Sequence, residues 1–391
     1  MTKTIPALTF DLKEDSWENS QGFFKRDIPI PTLNEKKNPL DAVSVILKIK
    51  YAGVCGSDRG IWHRNSFKDM IQNSLEKEGK STRILGHEFV GEVIEQGSAV
   101  KTLYDIQIGN PVSGDSHVTC GKCFQCRIGE QHVCLNESIL GITLDGIYAE
   151  YVKIPAKNLW VVDFARVRPE IAAMYDPFGN AVHACTSCDI RGQRVAVFGC
   201  GQIGLFSILL LKYFGAAKII GIDTNEDNLA MAKKLGAHVT IKLNSSSKEH
   251  EYDPDQEVIE KIMELTYGKG VDVSMELAGY NSSVNNSIEA TRRGGHVILF
   301  GLKDGDFTIP KFSRTIVRGL NIHCVIGRRI FSTWQIAQRM LSDQSNGIQD
   351  NIFNVILKSG NDTIIPIEDY NNELFEEKMK KHPKLLFKIA G

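Results

Sequence analysis

Four cysteines, Cys120, Cys123, Cys126 and Cys134, stand within fifteen residues of one another in the stretch VTCGKCFQCRIGEQHVC. Thiols so placed can hold a metal, cross-link in pairs or act as nucleophiles. Their x2, x2, x7 spacing suits a tetrahedral thiolate cage for Zn²⁺. Four thiolates leave no coordination position open, so such a cage staples a loop and does no chemistry on a substrate. Disulfides fit less well, because the chain has nine cysteines, an odd number. The N-terminus, MTKTIPALTFDLKEDSWENS, has no apolar core for a secretory signal and carries acidic residues. A cytoplasmic protein is expected, and disulfides are rare there.

A second stretch, VAVFGCGQIG, sets Gly199, Gly201 and Gly204 as G-x-G-x-x-G directly after a β-branched run and at the start of a helical pattern. The first glycine permits a tight turn and the second lets a pyrophosphate approach the backbone. The third lets the helix pack closely, and the helix N-terminus faces the phosphates. Gly-rich turns occur in any α/β fold. Here Asp223 ends the next strand, nineteen residues past Gly204, where a carboxylate can accept from a ribose 2′-hydroxyl. No Arg or Lys follows in DTNEDN to receive a 2′-phosphate, so NAD is favoured over NADP. Cys200, inside the loop, reads as a small apolar filler.

A catalytic metal would need a separate, incomplete ligand set. CGSD offers Cys55, and GHEF offers His87 and Glu88. The longer pattern G-H-E-x2-G-x5-G-x2-V, through Gly86, Gly91, Gly97 and Val100, resembles the zinc-dependent medium-chain alcohol dehydrogenases from about residue 41 onward. Within them, HVTCGKCFQC, DPFGNAVHA and GRRIFSTWQIAQRML look like the L-threonine 3-dehydrogenases. The resemblance implies two Zn²⁺ per chain, NAD and a small-molecule alcohol substrate. It makes Cys55, His87 and Glu88 ligands or near-ligands of the catalytic zinc. Asp176 would be a further ligand, direct or through water, or a proton-relay group. Ser57 matches the relay hydroxyl and His117 a histidine near the substrate. Ile203, Val325 and Ile326 would join the glycines and Asp223 at the cofactor, and the assembly would be a homotetramer or homodimer. The reaction implied is oxidation of a secondary alcohol, L-threonine giving 2-amino-3-oxobutanoate. Zn²⁺ would act as Lewis acid on the alcohol oxygen.

The chain departs from that pattern in three places. Gly60 stands where the relatives carry a histidine paired with the relay hydroxyl, and Asn228 replaces a basic residue usual after the ribose-binding acid. An insertion at 63–83 falls between the two zinc-ligand motifs. The loss of histidine at Gly60 favours a rival reading, a polyol or sugar dehydrogenase of the same family. A non-catalytic binding or structural protein would have lost its ligands, whereas Cys55, His87, Glu88 and Asp176 are all present.

These residues need a scaffold, and 391 residues are enough for two domains with cores of their own. Gly-punctuated apolar runs to about residue 165 suggest a β-rich domain, GroES-like in the family it resembles, over 1–175. Alternating strand and helix patterns then mean βαβ units and a doubly wound parallel sheet, a Rossmann domain over 176–325, with 326–391 rejoining the first domain. The strand LNIHCVIG is the expected edge for pairing between subunits. The polar run 244–256 reads as a loop, and 63–83 as a surface insertion with some helix. Cys185-x2-Cys188 reads as helix packing. The run IGLFSILLL is broken by Lys212 and too short to span a bilayer. A net charge of −1 gives no reason to expect nucleic acid or an anionic membrane as partner.

Overall fold

The computed structural model describes residues 3–244, 249–302 and 305–390, so part of the polar loop expected at 244–256 lies outside the described residues. The chain forms two compact units, one of Met1–Pro177 with Gln338–Gly391, the other of Phe178–Ala337.

The first unit is built on Ser44–Val54, in which Val45, Leu47 and Ile49 are fully buried. This strand is the hub of a seven-stranded sheet. It pairs antiparallel with Glu88–Gln96 on one side. On the other side its first half pairs with Tyr151–Pro155 and its second half with Leu385–Lys388. The last strand of the chain is therefore an integral part of the first unit. A smaller sheet joins Phe24–Pro29, Thr4–Asp11 and Thr82–Ile84. Its first two strands come from residues whose polarity and prolines hid them in the sequence.

The insertion is more than surface. Its helix, Lys68–Glu78, sends Ile71 and Leu75 into the core, with both side chains fully buried. Arg83 behind it is equally buried and meets Glu78 at 2.7 Å and Asp145 at 3.1 Å.

In the second unit six parallel strands lie in the order Val239–Lys242, Lys218–Asp223, Arg194–Phe198, Val271–Glu276, Thr291–Leu299, Asn321–Cys324. Numbered by sequence this is 3-2-1-4-5-6, the doubly wound arrangement, with its crevice beside the first strand. The helix Gln202–Tyr213 is buried from Gly204 through Leu211, which accounts for the apolar run. Among the described residues no helix is long and apolar enough to cross a membrane.

Candidate metal centres and nucleotide loop

The four-cysteine loop is closed by a two-stranded pairing of His117–Val118 with Ser138–Ile139. Sulfurs of Cys120, Cys123, Cys126 and Cys134 all lie within 4.8 Å of one another. Cys123 and Cys134 Sγ are 3.8 Å apart, the edge expected of a tetrahedron with Zn–S near about 2.3 Å. Backbone N–H groups of Cys123 and Asn136 donate to Cys120 and Cys134 sulfurs at 3.3 and 3.4 Å. Such donors favour thiolate, and the N–H groups of Lys122 and Cys123 pull the Cys120 thiol down to about 6. The donor set fits a closed zinc site.

The open set grows out of the hub strand. Cys55 follows Val54 and caps the short helix Gly56–Trp62. His87 and Glu88 begin the neighbouring strand, so the sheet pairing Gly53↔Glu88 brings the three together. Their ligand atoms lie within 4.8 Å of one another. Ser57 Oγ is 3.3 Å from His87 Nε2. The other ring nitrogen, Nδ1, faces Asp58 Oδ1 at 3.5 Å. Burial opposes a charge on this ring, yet Asp58 beside it holds the pKa well above the ordinary histidine value. A field that draws a proton to His87 also favours a cation there. Glu88 is fully buried, with Oε2 paired to the equally buried Lys384 Nζ and Oε1 without a hydrogen-bond partner. A Cβ on Gly53 would fall on the Glu88 carboxylate, so the glycine makes its room. Two protein ligands, an orphaned carboxylate oxygen and an attracting field fit a divalent metal with coordination to spare.

Asp176 is buried and accepts from the Ser116 N–H at 3.4 Å, outside the mutual cluster of Cys55, His87 and Glu88. His117 follows directly, its N–H held by Asp115 Oδ1 at 2.9 Å and its Nδ1 2.7 Å from Glu137 Oε2.

In the second unit the strand Arg194–Phe198 runs into Gly199, whose φ of +94° demands a residue without Cβ. At Gly201 a Cβ would meet nothing of the protein, so its own packing does not explain that glycine. A ligand approaching the backbone does. A Cβ on Gly204 would fall 1.9 Å from the Gly199 carbonyl, so the close packing of the helix is against the loop. Asp223 Oδ2 accepts from Cys200 N–H and Oδ1 from Asn225 N–H, each at 2.7 Å. The acid that would meet a ribose thus also ties the glycine loop to its own strand. Ile203 and Ile326 are partly exposed and Val325 is buried. Cys200 is a buried filler against Gly221. Burial pushes the Cys185 thiol up to about 12 and Cys188 to about 11; the helix Tyr175–Cys185 ends at the first of them, so Cys188 lies beyond the helix.

Residues 41–163 match the alcohol dehydrogenase GroES-like domain, and 203–343 match the zinc-binding dehydrogenase domain. The chain is 35% identical to the L-threonine 3-dehydrogenase of Bacillus velezensis over 325 residues, covering 83% of this chain and 86% of that one. This chain belongs to the zinc-dependent medium-chain alcohol dehydrogenases. The L-threonine 3-dehydrogenase of Pyrococcus horikoshii is 34% identical over 298 residues, 76% of this chain and 79% of its own. Among solved structures, the alcohol dehydrogenase TADH of Thermus sp. ATN1 superposes with a TM-score of 0.78 at 24% identity, covering 98% of this chain and 100% of that one. The 2R,3R-butanediol dehydrogenase of Bacillus subtilis gives 0.77 at 21%, covering 99% and 100%. At such identity these two bear on the fold.

For a medium-chain dehydrogenase, four residues around the site went unread in the sequence. Asp58 had a local signal, three residues past Cys55, where its carboxylate accepts the Cys55 N–H at 2.8 Å. Lys384 had none, since 296 positions separate it from Glu88. Glu137 lies three residues beyond the cage, opposite His117 only because the loop closes. Ser66 packs against Gly60, where a Cβ would stand 2.9 Å from its Oγ and 3.1 Å from its Cβ.

Proposed function

We propose that this dehydrogenase oxidises a secondary alcohol with NAD⁺, the substrate being the 3-hydroxyl of L-threonine and the product 2-amino-3-oxobutanoate. The observation that carries this reading is the convergence of Cys55, His87 and Glu88, with the Ser57 hydroxyl at 3.3 Å from His87 Nε2. These three residues, with Asp176 direct or through water, would hold a zinc ion whose chemistry is Lewis-acid polarisation of the alcohol oxygen. Cys120, Cys123, Cys126 and Cys134 would hold the second, structural zinc.

Ser57 Oγ would accept the substrate's hydroxyl proton while passing on its own. Asp58, facing Nδ1 at 3.5 Å, would orient His87 and leave Nε2 for the site. Lys384 holds Glu88 by one oxygen. His117, clamped by Glu137, and Asp176 are the groups available for proton transfer where Gly60 offers none. The glycine loop and Asp223 would bind the dinucleotide, with Ile203, Val325 and Ile326 packing on it, and the Asp223 carboxylate would repel a 2′-phosphate. The threonine assignment draws on the names of the 31–36% identical relatives, such as those of Bacillus and Shewanella.

The polyol reading rested on Gly60. Ser66 already occupies the space beside that glycine, so packing within the chain accounts for its smallness without appeal to a larger substrate. Among the described residues the edge strand Asn321–Cys324 is paired on one side only, to Thr291–Leu299, and it exposes Ile322. That edge supports a homodimer or homotetramer. Light scattering showing only monomer at micromolar concentration would contradict the assembly. NADH absorbance on adding threonine, sorbitol or glucose tests the substrate. Turnover of sorbitol or glucose with none of threonine would overturn the threonine assignment and leave the dehydrogenase standing.

A further inference from the structure

In the second unit the nucleotide loop lies where the parallel strands end. The opposite edge, where they begin, carries a separate open cleft of about 380 Å³. Five cations line it: Lys269, Arg292, Arg293, Arg314 and Arg318. They come from consecutive elements. Lys269 precedes the strand Val271–Glu276, and Arg292 and Arg293 open Thr291–Leu299. Arg314 and Arg318 belong to the helix Phe312–Val317 and its C-terminal cap. One carboxylate, Glu289, lines the cavity with them, 3.6 Å from Arg314 and 3.4 Å from Arg318. Arg292 pairs with Asp272 at 2.6 Å, but that acid also serves Arg194 at 3.0 Å. Among the described residues Lys269 and Arg293 have no carboxylate within ion-pair distance.

The cluster is partly built into the fold. The Arg318 side chain is only 13% exposed, and its guanidinium donates to the carbonyls of Glu289 and Thr291. Burial, together with the like charges of Arg314 and Arg293, holds its pKa below the ordinary arginine value. In a chain whose net charge is −1, five cations around one acid are a local excess. Self-repulsion of this kind is unfavourable until an anion neutralises it. The volume falls at the small end of ligand sites and is far too small for a duplex groove or a protein segment. Four guanidinium groups from two segments, with the Lys269 ammonium from a third, suit the several oxygens of phosphate, which guanidinium grips with paired hydrogen bonds.

We propose that this cavity binds a small compound bearing two or more linked phosphate groups, at a site distinct from the nucleotide loop. Its charge, about −3 to −4 near neutral pH, would match the excess of these cations over Glu289 and the shared Asp272.

The test is calorimetric titration of the intact enzyme with inorganic triphosphate, with NAD⁺ saturating so that the glycine loop is filled. One saturable site per chain is expected, its affinity falling as salt is raised. The exposed pair Lys269→Glu with Arg293→Glu should weaken triphosphate binding by at least about tenfold, with NAD⁺ affinity and melting temperature close to wild type. A milder Arg314→Gln should weaken it less. Absence of saturable binding at low salt would overturn the proposal, as would unchanged binding in the charge-reversed double variant. Binding of single-stranded nucleic acid without binding of triphosphate would also overturn it, since the cations would then form a patch for a polymer.

Discussion

Replacing Lys384 by Met tests the architecture of the open ligand set. Lys384 and Glu88 have no exposed side-chain surface, and the ammonium also donates to the Val54 carbonyl at 3.2 Å, one residue before Cys55. Two unit charges in contact attract by roughly 5 kcal/mol at an effective dielectric of 20. Part of this returns when the ammonium need no longer be desolvated, but the Glu88 carboxylate then stays buried with neither oxygen hydrogen-bonded. Breaking such a pair from one side costs about 3–5 kcal/mol, and we expect Lys384→Met to lose that much. Removing the stranded charge as well, in Lys384→Met with Glu88→Gln, should recover at least about half of it.

Urea unfolding followed by tryptophan fluorescence is the assay, because Trp17, Trp62 and Trp160 lie in the first unit and Trp334 alone in the second. Excess zinc should shrink the loss in the single variant, since a cation at the site would compensate Glu88 in place of Lys384. A loss below about 1 kcal/mol, or a double variant no better than the single one, would refute the reasoning: Glu88 would then not depend on Lys384 for its charge.

The two metal sites should respond differently to loss of a thiol. Cys123→Ser should lower the melting temperature and open the loop, because structural zinc contributes directly to folding. Cys55→Ser should remove one zinc equivalent and the activity while melting near wild type; equal falls in melting temperature, with metal content measured alongside, would sink the division into closed and open sites. Asp223→Ala should raise KM for NAD⁺ by roughly tenfold, the worth of a hydrogen bond to a charged group, and narrow the preference over NADP⁺. An enzyme that prefers NADP⁺ as isolated would contradict the role given to Asp223. Gly60→His should cost about 1 kcal/mol through overpacking against Ser66, offset in part by better helix propensity. Adding Ser66→Gly should restore it, and a fully stable Gly60→His would mean that Ser66 does not fill the space.

What could be read from the sequence was what short spacing encodes. The thiolate cage, the glycine loop and the acid nineteen residues beyond it are local patterns, and the strand–helix alternation in the second unit repeats at a period the eye can follow. The pairing of Cys55 with His87 and Glu88 came through resemblance, and its physical cause is the antiparallel register Gly53↔Glu88, which no local pattern carries. What stayed hidden was tertiary. The strands Thr4–Asp11 and Phe24–Pro29 are polar or Pro-flanked and exist because they pair with each other. Lys384 reaches Glu88 only because the chain's last strand inserts beside its third.

The insertion shows why departures from a family pattern need a structure before they carry meaning. From sequence, Gly60 and residues 63–83 are two separate anomalies, one a missing histidine and the other a surface insertion. In the fold they are one adjustment. Asn65 N–H returns to the Gly60 carbonyl at 2.8 Å, which turns the chain and sets Ser66 against the glycine. The helix that follows is anchored by Ile71 and Leu75 in the core, so the turn is held from both ends. A histidine at position 60 and this turn compete for the same space. If the relay beyond Ser57 needs a base, the candidates are His117 and Asp176, and of these His117 is held by Glu137 on one ring nitrogen and by the Asp115 carboxylate on its backbone. His117→Ala should then lower kcat on the true substrate by at least about tenfold, within the span typical of a lost general base, whereas Glu137→Gln should lower it less, because the amide keeps a hydrogen bond to the ring. A Glu137→Gln loss as large as that of His117→Ala would move the proton-transfer role to the carboxylate itself.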